Sequence, residues 1–497
     1  MQCSYLSMKK IGEVQKCGNP FGNQRKSSTF AIKFGKEMKK LIVSLLMAVL
    51  YTTAFAQFTT AGDGTTYSIQ KLATIEEAGI TTYNFGGVVP TTYLLSQSIT
   101  IANGDHFVMD DGACVMFGKN VKLTIEGDAD FNLTNGSTFD STIDNSGTLG
   151  AAVRIAGTTT TQFNNCTFYF VGLEIMSEGA TNVSNCYFNY HDGSSAAALY
   201  FISAGAASTI ENCQFEACAK AAIGSAGNTS QPMTIKNCTF NMNSTANNNI
   251  PQINITAANP LVIEGCTIQG NPDNNMVGGI GISNFYGFDA DITISDCGIA
   301  ENRYGIGIVG PAANVRIKDC TLIDNRFETN PMNGGSGISL YDPYQQTKAV
   351  LSGNHIEGSL WGVTIIGCKD VNLGCLEEGE NYNPGGNVFI DNGNNGQLYD
   401  LYNNSTLTVY AQNNTWNVSE QTEEQIETVI FHKNDNPQLG EVIYMPAANG
   451  TDIKSIAIQK EDGIIYDLQG RRVESGKLKV ESLKKGIFIV NGKKVVR

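Results

Sequence analysis

Ile292-Thr293-Ile294-Ser295-Asp296-Cys297-Gly298-Ile299 is answered 23 residues later by Val315-Arg316-Ile317-Lys318-Asp319-Cys320-Thr321-Leu322. The shared phrase is aliphatic, any residue, Asn or Asp or Gly, Cys, any residue, aromatic or aliphatic. It recurs around Cys166, Cys186, Cys213, Cys238, Cys266, Cys297 and Cys320, at spacings of 20, 27, 25, 28, 31 and 23 residues. A self-similar period of that length is the mark of a solenoid. Within each copy the apolar residues fall at every second position, which predicts a strand with one buried face. The cysteine and the residue two further on continue that inner face.

A second strand follows each phrase, written Gly-aliphatic-x-aliphatic: Gly172-Leu173-Glu174-Ile175, Gly279-Ile280-Gly281-Ile282, Gly305-Ile306-Gly307-Ile308, Gly337-Ile338-Ser339-Leu340 and Gly362-Val363-Thr364-Ile365. Asn-bearing corners such as Glu301-Asn302-Arg303 and Asp324-Asn325-Arg326 stand between the two strands. Asn tolerates the left-handed backbone of a sharp corner, and stacked amides can hydrogen-bond from rung to rung. Hairpins would need Asn-Gly-type turns at fixed spacing. A coil needs none, so the expected fold is all-β: a right-handed parallel β-helix over residues 100–445, right-handed as parallel crossovers generally are. Residues 57–99 are expected to cap its open end. The segment from Glu420 to Glu427, with Ser419 as N-cap, reads as a helix of the C-terminal cap.

The flanks carry other signals. Met38-Lys39-Lys40, the apolar run Leu41 to Leu50 and Ala54-Phe55-Ala56 before Gln57 form a signal peptide over 38–56. The apolar run is too short to span a bilayer, and 1–37 reads as an over-extended gene start. The whole chain has 33 Lys and Arg against 47 Asp and Glu, a formal net charge of −14. Residues 1–56 hold nine of the basic and two of the acidic residues, so the mature chain keeps 24 and 45, a net of −21. That field disfavours nucleic acid, anionic membranes and polyanionic glycans.

Eleven cysteines remain after residue 56. The seven in register read as a stack of buried free thiols in preference to inter-rung disulfides. Cys368 and Cys375 lie off the register and are the better candidates for a pair. His106, His191, His355 and His432 are scattered and no Cys-x-x-Cys occurs, so no metal or other cofactor is expected. After the linker-like 446–452, residues 453–497 carry three or four short strands with Gly turns, suited to a small C-terminal β-sandwich.

The coil pattern resembles the right-handed parallel β-helix of pectate-lyase-like proteins. Asn413-Asn414-Thr415-Trp416, the acidic helix after it and Gly440 to Pro446 resemble the ending of secreted β-helix proteins from Bacteroidetes. Tyr466-Asp467-Leu468-Gln469-Gly470-Arg471, the strand Lys484-Lys485-Gly486-Ile487-Phe488-Ile489-Val490 and the basic end are similar to the C-terminal sorting domain of type IX secretion cargo. That resemblance implies outer-membrane secretion machinery as a partner, then cleavage and surface attachment or release.

Function is less legible. Arg303 and Arg326, one coil apart beside Glu301 and Asp324, could clamp a uronate carboxylate as in a lyase; solvated corner ion pairs are the preferred reading. Paired carboxylates for a glycoside hydrolase could come from Asp289, Asp291 and Asp296, or from Asp110 and Asp111, but no catalytic motif accompanies them. Tyr187, Tyr190, Tyr286, Tyr304, Tyr341 and Tyr344 could stack on sugars, and the loops 270–279 and 327–336 are where a site would be built. No catalytic residue is assigned. The expectation is a monomeric secreted or cell-surface protein that binds polysaccharide or surface glycans without catalysis, or serves as an adhesin-like spacer. A polysaccharide lyase or glycoside hydrolase is the alternative.

Overall fold

The computed structural model describes residues 57–84, 91–141, 150–227, 229–256, 258–284, 290–311 and 313–448, together with strands 465–466, 472–473, 487–490 and 493–496. The expected extension and signal peptide, most of the linker and much of the C-terminal segment lie outside them. No helix among the described residues is long and apolar enough to cross a membrane.

Each coil contributes three strands, because the phrase bends in its middle. The residue before each cysteine is left-handed: Asn185 at φ 51°, Asn212 at 53°, Asn237 at 52°, Asp296 at 56°, Asp319 at 53° and Gly265 at 64°. Asn, Asp and Gly bear that conformation at least cost. The bend divides the phrase into a strand on one face, such as Leu261–Glu264, and a strand on the next, such as Thr267–Gln269. The Gly-aliphatic strands, such as Ile306–Val309, make the remaining face. Every face is a parallel ladder between successive coils: Ile263 pairs Ile294 and then Ile317, and Ile282 pairs Ile308 and then Leu340. The Gly-aliphatic face runs through fourteen strands, from Gln57–Thr59 to Ile430–Phe431.

The inward residues form columns. Phe139, Phe168, Phe188, Phe215 and Phe240 stack ring on ring at centroid separations of 4.9, 4.6, 4.7 and 5.1 Å. The same column continues through Ile268, Ile299, Leu322 and Ile356 to Phe389, which stacks on Trp416 at 5.0 Å. Burying each of these side chains contributes about 1.5–3 kcal/mol. The cysteine column is equally regular. Its members are buried free thiols, each donating to the carbonyl two residues back, as Cys297 does to Ser295 O at 3.2 Å. Hydrogen bonding of each thiol to the preceding sulfur, together with burial, pushes Cys238, Cys266 and Cys297 up to about 12.

The corner after the phrase differs from expectation. Glu301 (φ 57°) and Asp324 (φ 51°) take the left-handed turn, and Asn302 and Asn325 point inward. Asn302 donates its backbone N–H and its Nδ2 to Asn325 Oδ1, each at 3.2 Å. The close approach of the next coil explains the glycine that opens the following strand. A Cβ on Gly305 would sit 2.5 Å from Gly337 O, 2.6 Å from Leu322 Cδ2 and 3.3 Å from Asn325 Nδ2.

Two further expectations are corrected. Cys368 and Cys375 form no disulfide; both are buried free thiols. Cys368 lies before the strand Asp370–Gly374 and Cys375 after it, so they belong to different corners of the coil. Cys375 instead exchanges backbone hydrogen bonds with Asn383, each 2.9 Å. The cap helix spans Glu423–Glu427 and its N-cap is Thr422, whose side chain accepts from Gln425 N. Ser419 lies outside the turn and donates to Gln425 Oε1 at 2.8 Å.

At the N-terminal end, Gln57–Thr59 already pairs in parallel with Ser98–Ile101, while Ile80–Tyr83 and Thr92–Leu95 form an antiparallel pair. At the C-terminal end, His432 Nδ1 accepts the Val442 N–H at 2.9 Å and its other nitrogen contacts Glu427 Oε1 at 3.0 Å. Of the expected C-terminal sandwich, the described residues give one antiparallel sheet of four strands, in the order Arg472–Val473, Ile465–Tyr466, Ile487–Val490, Lys493–Val496.

Candidate functional site

Outward residues on the Gly-aliphatic face also form rows. One runs Asn254, Gly281, Gly307, Ser339, Thr364, Tyr402, each pairing with the next. A cleft of about 530 Å³ lies over this row, within the range of small-ligand sites. Two of its floor positions have no side chain because other groups cover them. A Cβ on Gly281 would lie 2.6 Å from Pro251 Cγ and 3.1 Å from Tyr304 Oη; one on Gly307 would lie 3.0 Å from the Tyr304 ring. Burial pushes the Tyr304 hydroxyl up to about 12 against the opposing effect of Arg303, so it stays a protonated donor and acceptor.

The walls are two loops. Pro331, Met332, Asn333 and Gly334 belong to one, Asn249 and Pro251 to the other. Arg303 ties them, one guanidinium nitrogen donating to Asn249 Oδ1 and another to Asn333 O. The far end is aromatic. Trp361 lies 4.8 Å from both Tyr399 and Tyr402, Tyr402 stacks on Phe431 at 4.7 Å, and the indole N–H donates to Pro331 O at 3.0 Å. Among the described residues no Asp, Glu, His, Lys or Arg lines the cleft. They offer hydrogen bonds and apolar surface, but no carboxylate, imidazole or fixed charge.

Ionisable groups gather elsewhere on the same face. Glu174 is buried between Lys122 Nζ at 2.9 Å, Arg154 Nε at 2.7 Å and Ser195 Oγ at 2.5 Å. Burial raises its pKa, but the bonds from Ser195 and Lys122 and the charge of Arg154 outweigh it and hold the carboxyl below its usual range. His191 lies close by, fully buried with neither ring nitrogen hydrogen-bonded to a described residue; burial, then Lys220, push it down to about 4. Among the described residues no three His, Cys, Asp or Glu converge on a metal position.

The residues singled out from sequence do not meet. Arg326 pairs with Asp324 of its own corner at 3.0 Å, while Arg303 is engaged by the cleft walls, so they make no clamp. Asp291 pairs with Arg316, Asp296 forms a corner, and Asp289 lies outside the described residues. Asp110 accepts from Gln70 N at 2.8 Å and Asp111 from Asn135 N at 2.8 Å. Tyr187 bonds Glu216 and Tyr190 stacks on Phe170. Tyr341 and Tyr344 are exposed, and Tyr286 lies outside the described residues. Of those that are described, only Tyr304 and the 327–336 loop reach the cleft. Trp361, Tyr402 and the Asn249–Pro251 wall went unnoticed in the sequence. The x of each Gly-aliphatic-x-aliphatic strand is the signal that marks the floor.

A family model described as right handed beta helix region matches residues 125–274 and 243–342. No curated protein matches the chain. Among solved structures, the chain is similar to the periplasmic alginate epimerase AlgG, at 11% identity and a TM-score of 0.43, over 76% of this chain and 83% of that one. It is also similar to pectate lyase Pel9A, at 12% identity and a TM-score of 0.24, over 75% and 82%. Likeness of that degree carries no argument about activity. The family match and the parallel ladders together make the described chain a right-handed parallel β-helix.

Proposed function

We propose that this is a secreted or cell-surface β-helix protein that binds carbohydrate without transforming it. One observation carries the reading: the cleft over Ser339 and Thr364 combines an aromatic end with amides and hydroxyls and, among the described residues, is lined by no carboxylate, imidazole or cationic side chain. Glycosidic hydrolysis needs two carboxylates and β-elimination needs a base beside a charge-neutralising cation. Stacking and hydrogen bonding suffice for retention of a sugar. The signal-peptide pattern at 38–56 and the sorting-domain resemblance at 453–497 support export by a type IX route in a Bacteroidetes-type cell, with a monomer at the surface. A lyase or hydrolase remains a second reading because of Glu174, Arg154, Lys122 and His191, which gather around one buried carboxylate on the same face.

Incubating the mature protein with acidic and neutral polysaccharides separates these. Retention on an affinity gel with no new reducing or unsaturated ends is the expected result. Turnover that disappears in a Glu174→Gln variant would move the function to the second reading.

A further inference from the structure

The cleft's lining also restricts which carbohydrate it takes. Resting on the binding reading above, we propose that its ligand is an uncharged, extended glycan lying along the helix axis, and that uronate polymers are excluded. Three observations carry this. The first is spacing: the row from Asn254 to Tyr402 spans six successive strands, or about 24 Å at a strand separation of about 4.8 Å. That separation approaches the length of one pyranose unit in an extended chain, so successive sugars advance by about one rung, meeting Pro251 and Tyr304 where these stand over the Gly281 and Gly307 rungs.

The second is free hydrogen-bonding capacity. The side chains of Asn254, Ser339 and Asn404 line the cleft and make no hydrogen bond to another described residue. Amides and hydroxyls both donate and accept, which matches sugar hydroxyls. Trp361 and Tyr402, tilted 60° to each other, supply ring faces for an apolar sugar face, and the Trp361 indole N–H is already committed to Pro331 O.

The third is charge. A uronate chain brings a carboxylate at every unit, and a buried or half-buried carboxylate needs a cation or several N–H donors. Among the described residues the cleft lining holds no Lys or Arg, and its free amides, Asn254 and Asn404, stand on the first and last of the six strands, too far apart to converge on one carboxylate. The nearest guanidinium, Arg303, is spent on Asn249 and Asn333. The net negative charge of the whole chain adds a repulsive field.

Calorimetric titration of the full mature chain with gluco-, manno- and xylo-oligosaccharides, against oligogalacturonate and oligomannuronate of equal length, tests this. At least one neutral series should bind tenfold or more tighter than either uronate, and its affinity should rise to about five or six units and then level, as the 24 Å row dictates. Trp361→Ala should lower that affinity at least tenfold; Trp361→Phe, which keeps a ring, should retain most of it and guards against a folding defect. A uronate that binds more tightly overturns the ligand class while leaving the binding function standing. An affinity already level at a disaccharide overturns the axial arrangement. Failure of every glycan to bind removes the function and the inference together.

Discussion

The Cys320 backbone N–H donates to Asn354 Oδ1 at 3.1 Å, and Asn354 occupies the position that cysteine holds in the preceding coils. The thiol column therefore passes into an amide column. Asn354 donates its N–H and Nδ2 to Asn387 Oδ1 at 3.1 and 2.9 Å; Asn387 does the same to Asn414 Oδ1 at 2.8 and 2.9 Å. Asn387 is fully buried and its Nδ2 also reaches Leu351 O and Leu373 O. Replacing it with Leu strands several buried donors and acceptors, at about 1–3 kcal/mol each. Asn387→Leu should cost at least about 3 kcal/mol in urea unfolding, and a loss below about 1 kcal/mol would show the ladder to be dispensable.

The thiols that precede it should be silent. The seven register cysteines are buried, hydrogen-bonded to carbonyls and, where raised only to about 12, still far from the thiolate that reacts. Cys114 is the one described cysteine with partial exposure. Iodoacetamide at pH 8 should label the native mature chain at Cys114 alone, if at all, and label all eleven cysteines in guanidinium without reductant. Dithiothreitol should leave the melting temperature unchanged. A mass deficit of two hydrogen atoms before reduction, mapped to the peptides that carry Cys368 and Cys375, would restore that disulfide.

Architecture was legible in the sequence because one coil repeats the same physics. A period of two marks each strand, and a left-handed Asn, Asp or Gly marks the bend before each cysteine. The number of faces was not, because the bend inside Ile294-Ser295-Asp296-Cys297 changes no apolar spacing: Cys297 stays inward on both sides of the corner. The cleft was harder still. Trp361, Asn249 and Met332 are 112 residues apart at the extremes and meet only because coils stack. Arg303 and Arg326 share a sequence position, yet their partners are set by loops of unequal length, which repetition does not encode.

Asp400 gives the helix a pH dependence of defined sign. It is buried, its Oδ2 accepts the Asn417 N–H at 2.8 Å, and burial raises its pKa from 3.8 to about 7. A raised folded-state pKa means the native chain holds a proton the unfolded chain releases. The resulting stability is complete below about pH 4 and is lost as pH rises through 7. Asp400→Asn removes the titration and keeps an oxygen acceptor. Its stability relative to wild type should increase between pH 4 and pH 8, by no more than about 4 kcal/mol. A pH-independent difference between the two melting curves would show that Asp400 is ionised throughout.

Arg303 should act on the cleft and not on the helix. Its two bonded guanidinium nitrogens go to different loops, one to the Asn249 side chain and one to the Asn333 carbonyl, and Gly334 packs on its stem: a Cβ there would sit 2.9 Å from Arg303 Cγ. These loops stand outside the three ladders, so loosening them exposes few apolar groups of the core. Hydrogen bonds from a charged donor contribute about 1.5–3 kcal/mol each when shielded, and less at a half-exposed site such as this. Arg303→Ala should therefore leave global unfolding nearly unchanged, lower glycan affinity about tenfold, and make the 327–335 segment the first site of proteolytic cleavage. Arg303→Lys should recover little, because one ammonium on a flexible stem does not reproduce a planar fork serving two walls. A variant that melts many degrees lower, with the 327–335 segment no more sensitive to protease than before, would place Arg303 in the scaffold instead.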